Sequence, residues 1–340
     1  MLNILEQIPA GFLDARAGDL QDLLGGPTLI HLAGEREQPL FVSVLLHGNE
    51  TTGLLTVQRL LKRYLSGLPR SLSIFIGNTA AAVRNMRRLD GQPDYNRIWK
   101  GNGAPEYAMA QKVLDEMRRR KVFIAVDIHN NTGLNPHYSV VTCLQNPHLQ
   151  LAAMFSRIAL EVVRPDTTST NAFSGLCPAV TLESGLPGKE HGTDHVLDFV
   201  DGCLHMSHVP DTPVHAHDLE LYHAVAVVKV SRDCSIGFDD YSADISFPSD
   251  LDRLNFRELD RDVCIARIHP QSQACLTVTD EQGKDVSNDW FQKRDDHVCT
   301  VGPIMPAMLT RNVKIIHQDC LCYLMSRKLL PQQLPKKAMS

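Results

Sequence analysis

His47-Gly48-Asn49-Glu50 places a histidine and a carboxylate three positions apart, where the apolar run of residues 39–46 gives way to the helix-forming run 50–63. Both side chains can face one ion held beyond the end of a buried strand, which is where open α/β sheets keep their sites. Zinc accepts imidazole nitrogen and carboxylate oxygen. A catalytic zinc uses three protein ligands and leaves the fourth position to water, so a third ligand must come from elsewhere. His129 is the best candidate, because it ends the apolar run 122–128 and is followed at once by the polar turn Asn130-Asn131-Thr132-Gly133. Asp127, two residues earlier, is close enough to orient the imidazole.

A second carboxylate has the same placement. Residues 179–182 are a short strand-like run that ends in Glu183, and the flexible pair Ser184-Gly185 follows. A carboxylate at the end of a buried strand is costly to desolvate unless a metal, a cation or water meets it. Beside an activated water it can take a proton and return it to a leaving amine. Arg84, Arg87, Arg88 and Arg97 form a cationic run in a chain of net charge -5, and arginine suits paired hydrogen bonds to a carboxylate or an oxyanion. Of these, Arg84 reads as part of a solvated face. His191 and His195 have the i, i+4 spacing of a metal pair, but residues 192–200 read as an amphipathic helix capped by Thr193 or Asp194, so the pair is read as structural. His205, His208, His215 and His217 read as linker residues around a Pro-containing connection. His137 leads off from the strand of His129 and either approaches substrate or sits in a turn.

His47-Gly48-Asn49-Glu50, Asp94-Tyr95-Asn96-Arg97, the stretch from Asp127 to Thr132, and Thr181-Leu182-Glu183-Ser184-Gly185 occur in that order. In this the chain resembles the succinylglutamate desuccinylase and aspartoacylase family, a branch of the zinc carboxypeptidase superfamily, over residues 28–205. The resemblance implies that His47, Glu50 and His129 hold one zinc ion per chain and that Glu183 is the catalytic carboxylate. It further implies that Arg87 polarises the scissile carbonyl while Asn96 and Arg97 grip a substrate carboxylate. The loop carrying these arginines is about two residues longer than the family pattern, so Arg88 stays an alternative to Arg87 and a substrate contact beside His137. Aspartoacylases also carry an arginine with a tyrosine shortly before the catalytic glutamate. Residues 167–178 contain no cation here, and Arg164 lies well upstream. A second substrate carboxylate would therefore lack its partner, which costs several kcal/mol when buried. Poor use of N-acetylaspartate is expected, with Asn171, Ser174 or His137 available to a neutral or polar group.

At 340 residues and 43% hydrophobic, the chain can bury a large core and divides into two domains. Strands alternate with helical stretches from residue 28 to about 210, including 106–120 and 147–160, which implies helices on both faces of a mixed or mainly parallel sheet. The fold expected is α/β, a zinc-carboxypeptidase-like mixed sheet flanked by helices, with a smaller β-rich C-terminal domain built on runs such as 224–230, 263–268, 274–278 and 313–316. The expected divisions are an N-terminal helical appendage (1–25), a zinc hydrolase domain (26–212), the β-rich domain (213–330) and a loose tail (331–340). The family's second domain leans over the site mouth, which would favour a compact substrate. No apolar run has transmembrane length, the N-terminus lacks a secretory pattern, and no basic stripe suits nucleic acid. Nine cysteines without a Cys-x-x-Cys pair imply reduced thiols and a cytoplasmic enzyme. The reading is a zinc-dependent deacylase acting on a small N-acyl amino acid or similar acyl-amide, with no nucleic-acid or membrane partner and with a homo-oligomer compatible. Its rivals are a metallocarboxypeptidase of short or modified peptides and a catalytically silent metal-binding regulatory module.

Overall fold

The computed structural model describes residues 2–333, which divide into two compact units, one of residues 2–130, 137–221 and 329–333 and the other of residues 131–136 and 222–328. The expected loose tail falls mostly at 334–340, outside the described residues.

In the first unit the strands are β1 (Asn3–Leu5), β2 (Thr28–Leu32), β3 (Gly34–Val44), β4 (Leu68–Ile76), β5 (Ile124–His129), β6 (Tyr138–Val141), β7 (Ile158–Glu161) and β8 (Ala179–Glu183). They lie in the order β1-β2-β4-β3-β5-β8-β6-β7. Between these strands run α1 (Leu20–Leu24), α2 (Thr52–Arg63), α3 (Thr79–Val83), α4 (Pro105–Arg119), α5 (Asn146–Phe155) and α6 (Ser169–Ser174), with α7 (Glu190–His205) after β8. The central neighbours β4, β3, β5 and β8 are all parallel, while β2 with β4 and β8 with β6 are antiparallel. The sheet is therefore mixed.

Strand residues alternate between two cores, as a pleat requires. Leu40, Val42 and Val44 of β3, Ile124, Val126 and Ile128 of β5, and Val180 and Leu182 of β8 enter one core with Leu54, Val57 and Leu60 of α2 and Val196 and Val200 of α7. Phe41, Phe75, Ala125 and Ala179 enter the other with Met109, Val113 and Met117 of α4 and Phe173 of α6. Each large side chain so buried contributes about 1.5–3 kcal/mol of transfer free energy, which holds the central strands in fixed register.

Several boundaries differ from the sequence expectation. Residues 1–25 are not a helical appendage: β1 pairs in parallel with β2, and only short helical turns follow it. The helix expected to begin at Glu50 begins at Thr52, where the Asn130 Oδ1 accepts the Thr52 N–H at 3.2 Å. Residues 147–160 are not one helix, because α5 stops at Phe155 and 158–161 extend as β7 beside β6. His205 closes α7 rather than lying in the connection.

The second unit holds β9 (Glu220–Val230, entering from residue 222), β10 (Ile236–Phe238), β11 (Ile245–Phe247), β12 (Cys264–Ile268), β13 (Leu276–Asp280), β14 (Phe291–Arg294), β15 (His297–Thr300), β16 (Met305–Ala307) and β17 (Cys322–Lys328), with α8 (Ser287–Trp290) and α9 (Val313–Gln318). Five of these form a sheet in the order β10-β11-β12-β15-β14. The core contains Val228, Ile245, Phe247, Val278 and Leu324. Residues 313–316, expected as a strand, are helical, because the Asn312 side chain accepts from the Ile315 N–H and caps the turn. The segment 131–136 is fastened within this unit: Thr132 Oγ1 lies 2.9 Å from Thr310 Oγ1, and Met308 N–H donates to Asn135 Oδ1 at 3.0 Å.

The expectation of nine reduced thiols is corrected at one pair. Cys264 and Cys299 form a disulfide across β12 and β15, 35 residues apart in sequence. Antiparallel register makes them direct partners, and spacing alone does not reveal such a juxtaposition. The other cysteines are free, with Cys177, Cys203, Cys320 and Cys322 buried.

Candidate active site

The parallel neighbours β3, β5 and β8 end together, so whatever follows them meets at one edge of the sheet. His129 is the last residue of β5, Glu183 is the last of β8, and the two are register partners. Beyond β3, Leu45 adopts a left-handed φ of 55°, a conformation that costs a non-glycine residue roughly 1–2 kcal/mol. Full burial of its side chain and an Asn78 N–H donated to its carbonyl at 2.6 Å hold it there. The chain then turns through His47-Gly48-Asn49-Glu50, closed by Glu50 N–H to His47 O at 3.1 Å. A Cβ at Gly48 would run into the backbone of Ala81 and Ala82, so that position requires glycine. Gly48 N–H also donates to Arg87 O at 3.2 Å, tying the arginine loop to the turn.

His47, Glu50 and His129 are all buried, and one donor atom from each lies within 4.8 Å of the others. The Glu50 carboxylate stands between the imidazoles, with Oε1 2.8 Å from His47 Nδ1 and Oε2 2.8 Å from His129 Nδ1. Two zinc bonds of about 2.0–2.1 Å at a tetrahedral angle would place donor atoms about 3.3 Å apart, so an ion would open these pairs by only about half an ångström. The outer nitrogens are held as well. Asp94 Oδ1 lies 3.1 Å from His47 Nε2, and Asp127 Oδ2 lies 3.0 Å from His129 Nε2. Ser43 Oγ donates to Asp127 at 2.5 Å. Two imidazoles and a carboxylate, each imidazole backed by an outer carboxylate, are a donor set that suits zinc.

The charges are strongly coupled. Burial and the Arg87 charge oppose protonation of His47, but the carboxylates of Glu50 and Asp94 outweigh them and raise its pKa. Burial likewise opposes protonation of His129, yet Asp127 and Glu50 hold its pKa well above the usual value. Glu50 is buried too, and the two histidines still keep it below the ordinary carboxylate range. A metal would therefore compete with protons for the two Nδ1 lone pairs. Glu183 behaves oppositely: burial pushes it up to about 7, with His129 opposing and Glu50 reinforcing the shift. A carboxyl poised there can both accept and return a proton near neutral pH.

The remaining sequence-derived residues divide into two groups. Arg87 donates through Nε and Nη2 to Asp94 Oδ2 at 3.2 and 2.9 Å, so it shares with His47 one carboxylate beside the ligand set. Asn96 Nδ2 lies 3.4 Å from His129 Nε2, its Oδ1 accepts from Ser169 N–H at 3.0 Å, and its carbonyl takes Arg97 Nη1 at 2.9 Å. By contrast, Arg88 donates to Gln92 O at 2.7 Å. His137 stacks on His191 and His195. Asn171 Nδ2 donates to Asp166 O, ahead of α6, and Ser174 Oγ donates to Asn171 O within it, while Arg164 pairs with Asp166.

Two residues carry more than their sequence context conveyed. Asp94 joins His47, Arg87 and the Asn96 N–H, the last at 2.8 Å. Asn130 Nδ2 reaches Thr52 Oγ1, Ser184 Oγ and Gly185 O, each at 2.9 Å, and its N–H donates to Glu50 at 3.2 Å. Its position directly after His129 was the available signal, since a polar residue buried at a strand end needs partners.

Residues 38–189 match the family model described as the succinylglutamate desuccinylase/aspartoacylase catalytic domain. No curated protein matches the chain at the level of sequence. Among solved structures, the fold is similar to a succinylglutamate desuccinylase from Chromobacterium violaceum, at 17% identity and a TM-score of 0.57 over 88% of this chain and 87% of that one. It is similar to another from Vibrio parahaemolyticus, at 14% identity and 0.58 over 88% and 86%. Murine aminoacylase 3 is similar at 16% identity and 0.53 over 87% and 97%.

Proposed function

Because residues 38–189 form a catalytic domain of the succinylglutamate desuccinylase/aspartoacylase family, we propose that the protein is a zinc-dependent deacylase. It cleaves the amide of a small N-acyl amino acid or a similar carboxylate-bearing compound. The reading rests on one observation: His47, Glu50 and His129 converge beside Glu183, whose strand end is in register with His129. One zinc per chain, held by those three residues, would supply a Lewis acid that polarises the scissile carbonyl and acidifies a water. Glu183 would take a proton from the water as its oxygen bonds to the acyl carbon, and return that proton to the nitrogen as the C–N bond breaks. Arg87, buried beside Asp94, donates to the carbonyl oxygen as negative charge develops there. Asp94 and Asp127 hold the outer imidazole nitrogens so that both Nδ1 lone pairs turn inward. Asn96 fixes the loop that presents Arg97, which receives the substrate carboxylate.

Among the described residues no helix is long and apolar enough to cross a membrane; seven cysteines are free, which supports a cytoplasmic enzyme, while the single Cys264–Cys299 disulfide weighs against it. The test is a hydrolysis screen of the zinc-loaded protein over neutral and acidic N-acyl amino acids, with N-acetylaspartate and dipeptides included. Turnover of N-acyl amino acids bearing a neutral or polar side chain is expected, with N-acetylaspartate poor, since Arg164 is exposed and paired with Asp166. Turnover confined to peptides would make the protein a carboxypeptidase, and no turnover of any amide would leave a metal-binding module.

A further inference from the structure

Asn130 has no part in the deacylase mechanism, although it follows His129 directly and is only 5% exposed. Its partners fix the orientation of its amide. The Thr52 N–H can only donate, to Oδ1 at 3.2 Å, and the Gly185 carbonyl can only accept, from Nδ2 at 2.9 Å. Nδ2 also reaches Thr52 Oγ1 and Ser184 Oγ, each at 2.9 Å. One side chain therefore joins the end of β5, the start of α2 and the turn that follows β8.

That last turn governs where Glu183 stands. Up to Glu183 the chain is held by its ladder with β5, and Ser184 then gives both its N–H and its Oγ to the His129 carbonyl, at 3.1 and 2.6 Å. Gly185 follows with a left-handed φ of 74° and has no side chain to anchor it, so the Asn130 bond to its carbonyl closes the turn. On the α2 side, the N-cap residue Thr51 makes no side-chain bond to the helix. Asn130 Oδ1 supplies that acceptor instead. The Asn130 backbone N–H, which any residue but proline would retain, donates to Glu50 Oε2 at 3.2 Å.

We propose that Asn130 is a positioning residue, whose side-chain amide holds the turn after Glu183 against the end of β5 and so keeps the Glu183 carboxyl in place beside His47, Glu50 and His129. This role rests on Glu183 acting as the base. Asparagine suits the position because it donates and accepts from one rigid plane. An aspartate would keep the acceptor for Thr52 but set an anion against the Gly185 carbonyl, and an alanine would lose both bonds. The backbone bond to Glu50 survives in either variant, so the effect falls on kcat rather than on zinc affinity or KM. Misplacing a reacting group by about 1 Å can cost about a hundredfold, and a turn still tied through Ser184 should cost about tenfold.

The test is a double-mutant cycle on the zinc-loaded full chain, with N-acetylglutamine and N-acetylmethionine as substrates. Asn130→Ala and Asn130→Asp should each lower kcat about tenfold, while KM and zinc affinity, the latter by chelator competition, stay near those of the parent. Asn130→Asp keeps the α2 cap, so a folding defect in Asn130→Ala alone does not decide the outcome. In a Glu183→Gln background the same substitutions should have almost no effect on kcat, because a positioning role vanishes with the group positioned. Amide hydrogen exchange across residues 183–188 should quicken in both single variants, whatever the substrate. A tenfold loss that persists beside Glu183→Gln, normal kcat in Asn130→Asp, a loss confined to KM or zinc binding, or unchanged exchange in both variants would overturn the proposal. Parent-level turnover in Glu183→Gln would instead overturn the assignment of the base, and the role of Asn130 with it.

Discussion

The first unit contains two clusters of histidines, and they have opposite surroundings. In one, the rings of His47 and His129 are 4.9 Å apart and tilted by 60°, and each nitrogen faces a carboxylate. In the other, His137 lies nearly parallel to His191 and His195, at 5.5 and 4.9 Å. Among the described residues none of these three is hydrogen-bonded to a carboxylate. His195 Nε2 contacts the Phe155 carbonyl at 2.8 Å. The electrostatic result follows: carboxylates raise the pKa values of the first pair, whereas burial and then the neighbouring imidazoles lower that of His137. Histidine count and i, i+4 spacing therefore do not make a metal site. Convergence of inner nitrogens on one carboxylate, with an anion behind each ring, is what separates a ligand set from a stack.

The contrast breaks most sharply on substitution of the histidines themselves. His47→Ala or His129→Ala should abolish turnover, because two remaining ligands hold a catalytic ion too weakly, while His195→Ala should leave turnover within a factor of a few. Initial rates at saturating substrate decide it, and a dead His195→Ala beside an active His47→Ala would exchange the roles of the clusters. Next in size, Glu183→Gln should keep the metal and lose about a hundredfold in kcat, the scale of general acid–base catalysis. Its pH profile sharpens the assignment. Glu183 acts as a base once ionised, and a bound cation favours ionisation, so activity should rise with pH along a limb at or below about 7. That limb should be missing from the Gln variant.

The outer carboxylates come third. Asp127→Asn and Asp94→Asn should weaken metal affinity by about 10–100-fold without removing a ligand, as competition with a fluorescent chelator would reveal. Unchanged affinity in both would leave the raised histidine pKa values to Glu50 alone. The smallest effects separate the arginines. Arg87→Ala should act mainly on kcat and Arg97→Ala mainly on KM, while Arg88→Ala should do little, since its guanidinium is turned to the Gln92 carbonyl. A kcat defect in Arg88→Ala alone would shift the assignment by one residue along the loop.

Much of this geometry could be read in the chain because parallel strands convert sequence into position. A residue that ends an apolar run lies at the C-terminal edge of the sheet, and His129 and Glu183 both carry that mark. Burial of the strand on both faces was equally visible in the continuous apolar run 39–46. What sequence did not reveal was lateral. That Asp94 joins His47 to Arg87 depends on how a long loop folds back, and the pairing of Cys264 with Cys299 depends on antiparallel register. Residues 313–316 misled because Val-Lys-Ile-Ile suits a strand by propensity, and the capping side chain of Asn312 decided for helix. Residues 158–161 misled the other way, being extended beside β6 after a helix that simply stops.

The most direct test of the metal site is calorimetric titration of the metal-free protein with zinc at neutral pH, in two buffers of different ionisation enthalpy. The carboxylates around both imidazoles raise their pKa values, and a metal can bind only deprotonated Nδ1 atoms, so zinc competes with protons for the site. Binding of one zinc per chain is expected, with proton release that grows and affinity that falls as pH is lowered. The signal should be absent in His129→Ala and intact in His191→Ala. Zinc binding of full stoichiometry in His129→Ala, or a parent affinity that does not change as pH is lowered, would contradict a site built on His47, Glu50 and His129.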